Sequence, residues 1–208
     1  MDWNEFLHEA VAEKDIDLAR QALAQGADLN RPDASDSFSS GTTELYWAVS
    51  GGEVEIVRLL LDAGAQIVAE AQAKSSSLHA AVEDVNLPMV NLLLEYDGSA
   101  ALDWFDYVDR TPLMIAVQVG SIPIAQRLID SGADVNAHNE PRIGDTALRR
   151  AAENGTLEMV ELLLAAGADP TIPGWMARTP LDKARGRKRG DGPRIYERLE
   201  QAARRFQR

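Results

Sequence analysis

The chain has 208 residues, of which 45% are hydrophobic, so it is long enough to bury a core. It contains no cysteine, which excludes disulfides, thiol nucleophiles and cysteine-ligated zinc. The first residues are acidic rather than basic, and no apolar run approaches the about 20 residues that span a bilayer. We therefore expect a cytoplasmic protein with neither a secretory signal nor a membrane segment.

Charge is unevenly distributed along the chain. Residues 1–180 hold 11 Lys+Arg against 29 Asp+Glu, a net of −18, whereas residues 181–208 hold 10 against 4, a net of +6. An acidic body repels phosphate backbones and attracts basic surfaces. The charge pattern disfavours nucleic acid as a partner and favours a basic protein.

A leucine-centred pattern recurs along the chain, as is typical of repeat proteins. Successive spacings between the leucines are 38, 33, 35, 35 and 33 residues. A Gly-Ala pair follows 19 residues after four of them, and apolar triplets such as Leu59–Leu61 lie between the two markers. The six leucines, in chain order, are Leu7, Leu45, Leu78, Leu113, Leu148 and Leu181.

Each repeat predicts the same local elements. A short helix with a small residue at its middle follows the leucine, and a second helix carries the apolar triplet. Eight residues past the leucine stand good N-cap residues for the second helix, and Pro88 and Pro123 fall within its first turn, where a missing N–H is tolerated. The glycine of Gly-Ala provides the left-handed turn that ends the helix. The predicted N-caps are Asp15, Asn86, Ser121 and Thr156.

The segments "RTPLMIAVQVG" (110–120), "DTALRRAAENG" (145–155) and "SGADVNA" (131–137) resemble the ankyrin repeat family, and the resemblance covers nearly the whole chain. It implies an all-α solenoid of helix-turn-helix units with β-hairpin-like fingers, folded as a single domain over residues 1–208. We expect six repeats: an N-terminal cap (1–30), four internal repeats (31–170) and a C-terminal cap with a basic helix (171–208). It also implies a protein-binding function, through a concave face built from the fingers and the first helices.

The stretch "LDWFDYVDR" (102–110) is a lengthened finger, and insertions in repeat proteins often lie on the binding side. We expect Trp104, Phe105 and Tyr107 to be aromatic anchors for a partner, surrounded by Asp103, Asp106 and Asp109. Packing of one or two of these rings onto adjacent fingers is the alternative. The long Ser- and Asp-rich finger 31–42 is either a mobile loop or a segment that orders on binding.

Further candidates for partner binding lie on the first helices of the repeats. Trp47 aligns with Ala80, Ile115, Arg150 and Lys183, a set without shared chemistry, as is typical of exposed positions. The ends of these helices are similarly variable. The candidates are Tyr46, Trp47, Glu83, Asp84, Gln118, Arg150, Glu153 and Asn154.

Residues suited to catalysis or to metal binding are scarce. In the family that the chain resembles, the positions of His8 and His79 serve hydrogen bonds of the repeat's own loop. Three histidines without a cysteine give no zinc-binding spacing, and "GRKRGDG" (186–192) lacks the spacing of a phosphate-binding loop. We therefore expect no enzymatic activity, no metal and no cofactor.

Two functions of different classes remain. The first is a monomeric binding module that holds a specific basic protein, in its narrower form an immunity or antitoxin-like inhibitor of a toxin. The alternative is a regulatory adaptor that contacts nucleic acid or a membrane surface through the basic tail 183–194, whose simpler interpretation is a solvated cap.

The third repeat departs from the pattern at two glycine positions. Asp97 stands where the other repeats have the glycine of Gly-Ala, and Val85 stands where the family usually has glycine. Because a Cβ is unfavourable in left-handed turns, we expect this repeat to be the least stable of the internal ones.

Overall fold

The computed structural model describes residues 2–31, 43–68, 75–96, 98–139 and 144–206. These residues form α-helices, short 3₁₀ segments and turns, with no strand among them, which confirms the predicted all-α fold of paired helices. The described residues of the fingers lie in turns, bends and segments without regular secondary structure. Most of the finger 31–42, together with Asp97, lies outside the described residues. The chain divides into two compact units, residues 1–107 and 108–208.

Unit 1 (residues 1–107) contains three helix pairs. The first helices α1, α3 and α5 pack in succession, and each also packs against the second helix of its own pair. A 3₁₀ turn over Gly98–Ala101 follows the third pair. The helices are α1 (Trp3–Glu13), α2 (Ile16–Ala24), α3 (Glu44–Ser50), α4 (Val54–Asp62), α5 (Ser77–Glu83) and α6 (Leu87–Glu95).

Unit 2 (residues 108–208) contains three further pairs built in the same way. Helix α9 packs between α7 and α11, while α10 packs against α8 and α12. A 3₁₀ segment over Trp175–Ala177 precedes the last pair. The helices are α7 (Pro112–Val119), α8 (Ile122–Asp130), α9 (Ala147–Asn154), α10 (Leu157–Ala165), α11 (Pro180–Arg185) and α12 (Gly192–Phe206).

The repeated leucines build the core of each unit. All but Leu181 of the six predicted positions are buried, and Leu181 is half-buried. The small residues at the middle of the first helices, such as Ala81 and Ala116, are also buried. Alanine lets neighbouring helices approach closely, so the spacing of leucine and alanine sets the stacking of one repeat on the next.

The predicted helix boundaries are observed. Side chains of Asp15, Asn86 and Thr156 accept hydrogen bonds from backbone N–H groups of the first turns of α2, α6 and α10. Ser121 occupies the N-cap position of α8 without a side-chain cap bond. The glycines of the four Gly-Ala pairs all have positive φ, between 89° and 97°, as a left-handed helix end requires.

The C-terminal insert also caps helices. Arg187 Nη1 lies 3.5 Å from the carbonyl oxygen of Ala151 and 3.3 Å from that of Ala152 in α9. Asp191 Oδ2 accepts a hydrogen bond of 3.3 Å from the backbone N–H of Leu157, the first residue of α10. A cation at a helix C-terminus and an anion at a helix N-terminus both complement the helix dipole. The insert 186–192 thus ties the last pair to the preceding one.

Across the described residues, no helix combines the length and the apolar composition that crossing a membrane requires.

Candidate functional site

Helices α3 and α5 bring four of the predicted site residues of unit 1 onto adjacent surfaces. The rings of Tyr46 and Trp47 meet edge to face, with centroids 5.7 Å apart, an arrangement that aromatic pairs favour. Trp47 is 36% exposed and Tyr46 is half-buried. Glu83 and Asp84, at the C-terminal end of α5, are both exposed.

The electrostatics of Tyr46 show how close these residues lie. Burial of the Tyr46 ring raises the pKa of its hydroxyl, and the negative charge of Glu83 raises it further. A hydrogen bond with Ser50 opposes the shift, while Asp84 and Tyr107 add smaller contributions that raise the pKa. The carboxylates at the C-terminal end of α5 thus place negative charge near the Tyr46 phenol.

The finger that follows α6 is held by His79. Its Nε2 lies 3.1 Å from the carbonyl oxygen of Trp104, and its Nδ1 accepts from the backbone N–H of Ser76 at 3.2 Å. The carbonyl requires a proton on Nε2 and the N–H requires a lone pair on Nδ1, so these partners assign the neutral Nε2–H tautomer. The expectation that this histidine serves loop hydrogen bonds is therefore met at His79.

His8 differs from that expectation. Its side chain is exposed, and Nδ1 lies 3.1 Å from Glu44 Oε1 at the start of α3. This histidine pairs with the next repeat instead of serving its own loop. The two histidines occupy different positions in their helices, because α1 begins at Trp3, well before His8, whereas His79 lies in the first turn of α5 beside its N-cap Ser76.

The residues of the finger 102–110 differ in their exposure. Tyr107 is 67% exposed, and Asp103 is exposed as well. Trp104 and Phe105 are half-buried, so part of each ring packs within the protein. Among the three aromatics of this finger, Tyr107 offers the largest share of its surface to a partner.

Asp106 and Asp109 contradict the expected ring of exposed carboxylates. They are only 5% and 8% exposed. Asp106 directly precedes the turn at 107–108. Asp109 has a φ of 60°, and its Oδ1 accepts a hydrogen bond of 2.8 Å from Asn139 Nδ2 in the next finger of unit 2. A buried, hydrogen-bonded carboxylate holds the loop together and is not accessible to a partner.

The predicted site residues of unit 2 engage one another. Gln118 Oε1 lies 3.4 Å from Arg110 Nη1 and 3.5 Å from Arg150 Nη1. Glu153 Oε1 lies 2.7 Å from Lys183 Nζ on α11. Asn154 is exposed at the end of α9. Side chains of successive first helices therefore pair with each other across this surface of unit 2.

The alignment of Trp47 with exposed positions is wrong for two repeats. Ala80 and Ile115 are buried, whereas Trp47 is exposed and both Arg150 and Lys183 are half-buried. At this position a long side chain extends beyond the neighbouring side chains, whereas a shorter one is covered by its neighbours. Exposure here follows side-chain size and not the position alone.

The sequence interpretation missed a buried ion pair in unit 2. Arg149, in the position that holds histidine in other repeats, is buried and binds Asp145 through Nη1, while Arg150 Nε lies 3.1 Å from the other oxygen of Asp145. A Cβ at Gly174 would lie 2.7 Å from Arg149 Nε, so the guanidinium fills the space above that glycine. The sequence feature that points to this ion pair is Arg149 itself, which follows the repeated Leu148 where histidine follows Leu7 and Leu78.

The division into units sharpens the charge asymmetry. Unit 1 contains 5 Lys+Arg and 20 Asp+Glu, a net of −15, whereas unit 2 contains 16 and 13, a net of +3. The acidic character therefore resides in the unit that carries Trp47 and Tyr107. Its surface attracts cations and repels polyanions.

Comparison with known proteins agrees with this architecture. A family model described as ankyrin repeats (3 copies) matches residues 7–103 and 78–174. An ankyrin repeat domain from Acinetobacter baumannii AYE, solved as a crystal structure, superposes with a TM-score of 0.79 and 29% sequence identity. The superposition covers 94% of this chain and 96% of that one.

The chain is also similar to parts of longer proteins. A putative ankyrin repeat-containing protein of Treponema pallidum is 40% identical over 52% of this chain and 36% of its own length. The B-cell lymphoma 3 protein homolog of Mus musculus is 33% identical over 70% of this chain and 33% of its own length, and a putative ankyrin repeat protein of fowlpox virus is 35% identical over 62% and 28%. The matches to these relatives span roughly a third of their lengths.

Proposed function

Because this chain belongs to the ankyrin-repeat family, whose fold is generally a non-enzymatic scaffold for protein–protein interaction, we propose that it binds one specific basic protein. The observation that carries this proposal is the coincidence of charge and exposed aromatic surface in unit 1. A net charge of −15 lies in the unit where Trp47 and Tyr107 are exposed beside Glu83 and Asp84. Exposed aromatic rings are frequent binding anchors, and surrounding charge selects and steers the partner.

The proposed contact surface is narrower than the set expected from the sequence. It comprises Tyr46, Trp47, Glu83, Asp84 and Tyr107, with exposed Asp103 and the half-buried rings of Trp104 and Phe105 beside Tyr107 on the finger. In unit 2, Gln118, Arg150 and Glu153 already engage other side chains of the chain. The net charge of −15 in unit 1, against +3 in unit 2, favours unit 1 as the surface for a basic partner.

An inhibitory role is the narrower form of this proposal. A polyanionic surface that carries aromatic anchors imitates nucleic acid, which suits an immunity or antitoxin-like protein that covers a basic, nucleic-acid-degrading toxin. We also propose that the chain is cytoplasmic and uses no cofactor. It acts as a monomer, since its net charge of −12 makes copies of the chain repel one another.

The alternative role of the basic tail is less well supported. Of the residues in 183–194, Arg187 and Asp191 cap helices of unit 2, and Lys183 pairs with Glu153. Exposed Arg185, Lys188, Arg189 and Arg194 remain as candidates for contact with nucleic acid or a membrane surface. Of these, Arg194 Nη1 lies 3.6 Å from Asp191 Oδ1 and Arg185 lies over the ring of Tyr196. Four charges give a weak electrostatic contact at physiological salt.

A comparative pull-down from the source organism tests the proposal. The wild-type chain is the bait beside a Trp47→Ala/Tyr107→Ala double variant, with Phe206→Ala as a control that removes another exposed aromatic ring. We expect one basic protein to be enriched by the wild type and by the control. Loss of the two anchors should reduce its retention at least tenfold, since each is expected to contribute about 2 kcal/mol.

Binding kinetics with the purified partner complete the test. Association should slow as salt increases, because charges of opposite sign steer the encounter. Equal retention of the partner by the double variant, or enrichment of an acidic protein, would contradict the proposal. Retention of nucleic acid or of anionic vesicles that depends on Lys188 and Arg189 would favour the alternative.

A further inference from the structure

The loop between α5 and α6 holds Val85 in a left-handed conformation, with a φ of 53°. The backbone N–H of Val85 donates to the carbonyl oxygen of Val82 at 3.1 Å, and that of Asn86 donates to the carbonyl oxygen of Ala81 at 3.0 Å. This pair of hydrogen bonds requires a positive φ at the first of the two donors. The side chain of Asn86 also caps α6, so the loop is fixed from both sides and the strain at Val85 persists.

The same turn occurs in three other repeats, seven residues past the repeated leucine. Gly52 and Gly120 each have a φ of 74° there, and glycine adopts this conformation without a Cβ penalty. Lys14 has a φ of 62°, and its side chain forms an ion pair with Glu53, with Nζ 2.6 Å from Oε1. In the first repeat, therefore, the residue that stands in place of glycine makes a side-chain contact.

Valine is the least favourable of the residues that these four repeats place at this position. Its Cβ is branched, which makes a left-handed backbone unusual, and its side chain has no polar group that could form an ion pair. The side chain of Val85 is 51% exposed, so burial within the chain offsets little of the strain. Strained residues that the surrounding structure imposes are frequent at binding sites. Val85 is thus a candidate for contact with another molecule.

The surroundings of Val85 indicate the kind of molecule that fits. Glu83 and Asp84, which directly precede it, are exposed, and α5 packs against α3, the helix that carries Trp47. Unit 1 as a whole contains 20 acidic residues and 5 basic ones. An apolar contact with a polar rim is typical of protein–protein interfaces, and charges of opposite sign across the rim select the partner. The surface around Val85 therefore complements an apolar residue that basic side chains surround.

We propose that Val85 is an apolar contact residue for the basic partner protein and packs against an apolar residue that basic side chains surround on the partner. This inference rests on the proposed function and adds a contact residue that the sequence analysis did not include. Burial of the valine side chain on binding removes apolar surface from water, which stabilises the complex. The third repeat therefore loses stability as a free protein and gains a contact in the complex.

Two substitutions of Val85 separate the apolar contact from the backbone strain. Val85→Asn introduces a residue of similar size that is polar and tolerates the left-handed conformation. Val85→Leu keeps an apolar side chain and removes the branch at Cβ. Neither variant should unfold at a lower urea concentration than the wild type, because both relieve strain. Val85→Asn should nevertheless weaken partner binding at least threefold, whereas Val85→Leu should change it less than twofold.

The measurement is the dissociation constant of the full chain for the basic protein that the wild type retains from a lysate of the source organism. That protein is purified and titrated against the wild type and each variant at constant ionic strength. Val54→Ala is the matched control, since it removes apolar surface from a valine of α4 in the same unit that is 38% exposed. Val54→Ala should change the dissociation constant less than twofold, and circular dichroism verifies the fold of every variant.

Equal affinity of the partner for Val85→Asn and Val85→Leu, or equal weakening by Val85→Asn and Val54→Ala, would overturn the inference. If binding depends on Trp47 and Tyr107 but Val85→Asn binds like the wild type, this inference alone is wrong. If binding depends on Val85 but not on those two rings, the proposed aromatic anchors alone are wrong. If the wild type retains no protein, both the proposed function and this inference are wrong.

Discussion

Val85 has a left-handed backbone conformation, with a φ of 53°. A branched side chain is unfavourable there, at a cost of about 1–2 kcal/mol relative to the right-handed region. Gly120 holds the equivalent position in the following repeat, with a φ of 74°. The side chain of Val85 is 51% exposed, so it recovers little of this cost by burial.

Val85→Gly should therefore stabilise the protein. We expect the free energy of unfolding to increase by about 1 kcal/mol, the relief of strain being partly offset by the greater freedom of glycine in the unfolded chain. Urea unfolding measures the change. Gly120→Val is the matched control and should destabilise by a similar amount, since its Cβ would meet no atom within 4 Å and only the backbone strain is added.

Hydrogen exchange gives an independent measurement of the same strain. In the wild type, amides of residues 84–100 should exchange fastest among the internal repeats, and Val85→Gly should slow them. Uniform protection across the internal repeats, together with an unchanged unfolding free energy in Val85→Gly, would show that the left-handed valine costs nothing.

Tyr46 predicts a pH dependence. Burial raises the pKa of its hydroxyl above the ordinary value of 10.0, and Glu83 contributes to the increase. In the folded state the neutral phenol is thus favoured more strongly than in the unfolded chain. The associated stability is complete below the unfolded pKa and is lost as the pH rises through the folded pKa.

Glu83→Gln should lower the pKa of Tyr46 toward its ordinary value. The free energy of unfolding would then decrease by less as the pH rises above 10, because the folded and unfolded pKa values of Tyr46 come closer. A ¹³C NMR titration of the tyrosine ring carbons measures the shift directly. Glu55→Gln, on α4, is the control and should leave the pKa of Tyr46 unchanged; an unchanged pKa in Glu83→Gln would show that burial acts alone.

At the scale of the elements, the insert 186–192 determines how the last helix pair is held. Asp191 binds the first N–H group of α10, and Arg187 reaches the carbonyl groups near the end of α9. Glycine is required at position 192, directly after Asp191, since a Cβ there would lie 2.2 Å from the carbonyl oxygen of Arg187. Two residues of the predicted basic tail thus cap two neighbouring helices.

Asp191→Ala should destabilise the protein by about 1 kcal/mol, because the N–H group of Leu157 loses its acceptor and the helix loses a favourable charge. Thermal or urea unfolding measures the loss. Glu197→Ala removes the same charge from an exposed position of α12 and should change stability by less than about 0.5 kcal/mol. Equal effects of the two substitutions would rule out a specific cap.

At the scale of the whole molecule, we propose that residues 1–208 form one domain. The spacing of 35 residues between Leu78 and Leu113 continues the repeat without interruption through the point where the two compact units divide. Repeat arrays gain stability from neighbouring repeats, so a regular array unfolds together. The contrasting possibility is that the acidic unit and the basic one unfold separately.

Calorimetry distinguishes these possibilities. One domain predicts a single heat-capacity peak whose calorimetric and van't Hoff enthalpies agree, and a far-UV circular dichroism signal that is lost in the same transition. Two resolved peaks, or a calorimetric enthalpy well above the van't Hoff value, would contradict the proposal and identify the units as separate domains.

The sequence by itself determined the repeat period, the helix pairs and most of their ends. Leu7, Leu45 and Leu78 are buried as their spacing predicts, and Asp15, Asn86 and Thr156 cap the helices that they precede. The helix ends depend on residues within a few positions of one another, where capping and turn chemistry act. The period and the buried leucines follow from the recurrence of one motif along the chain.

Only the tertiary structure decided which side chains meet. Asp106 and Asp109 alternate with aromatics in the sequence and yet are buried, and Asp109 is held by an asparagine 30 residues away. Tyr46 lies beside Glu83, and Lys183 beside Glu153, because successive repeats place these helix positions next to each other. Burial and ion pairing depend on side-chain length and on neighbours from other repeats, which no local pattern specifies.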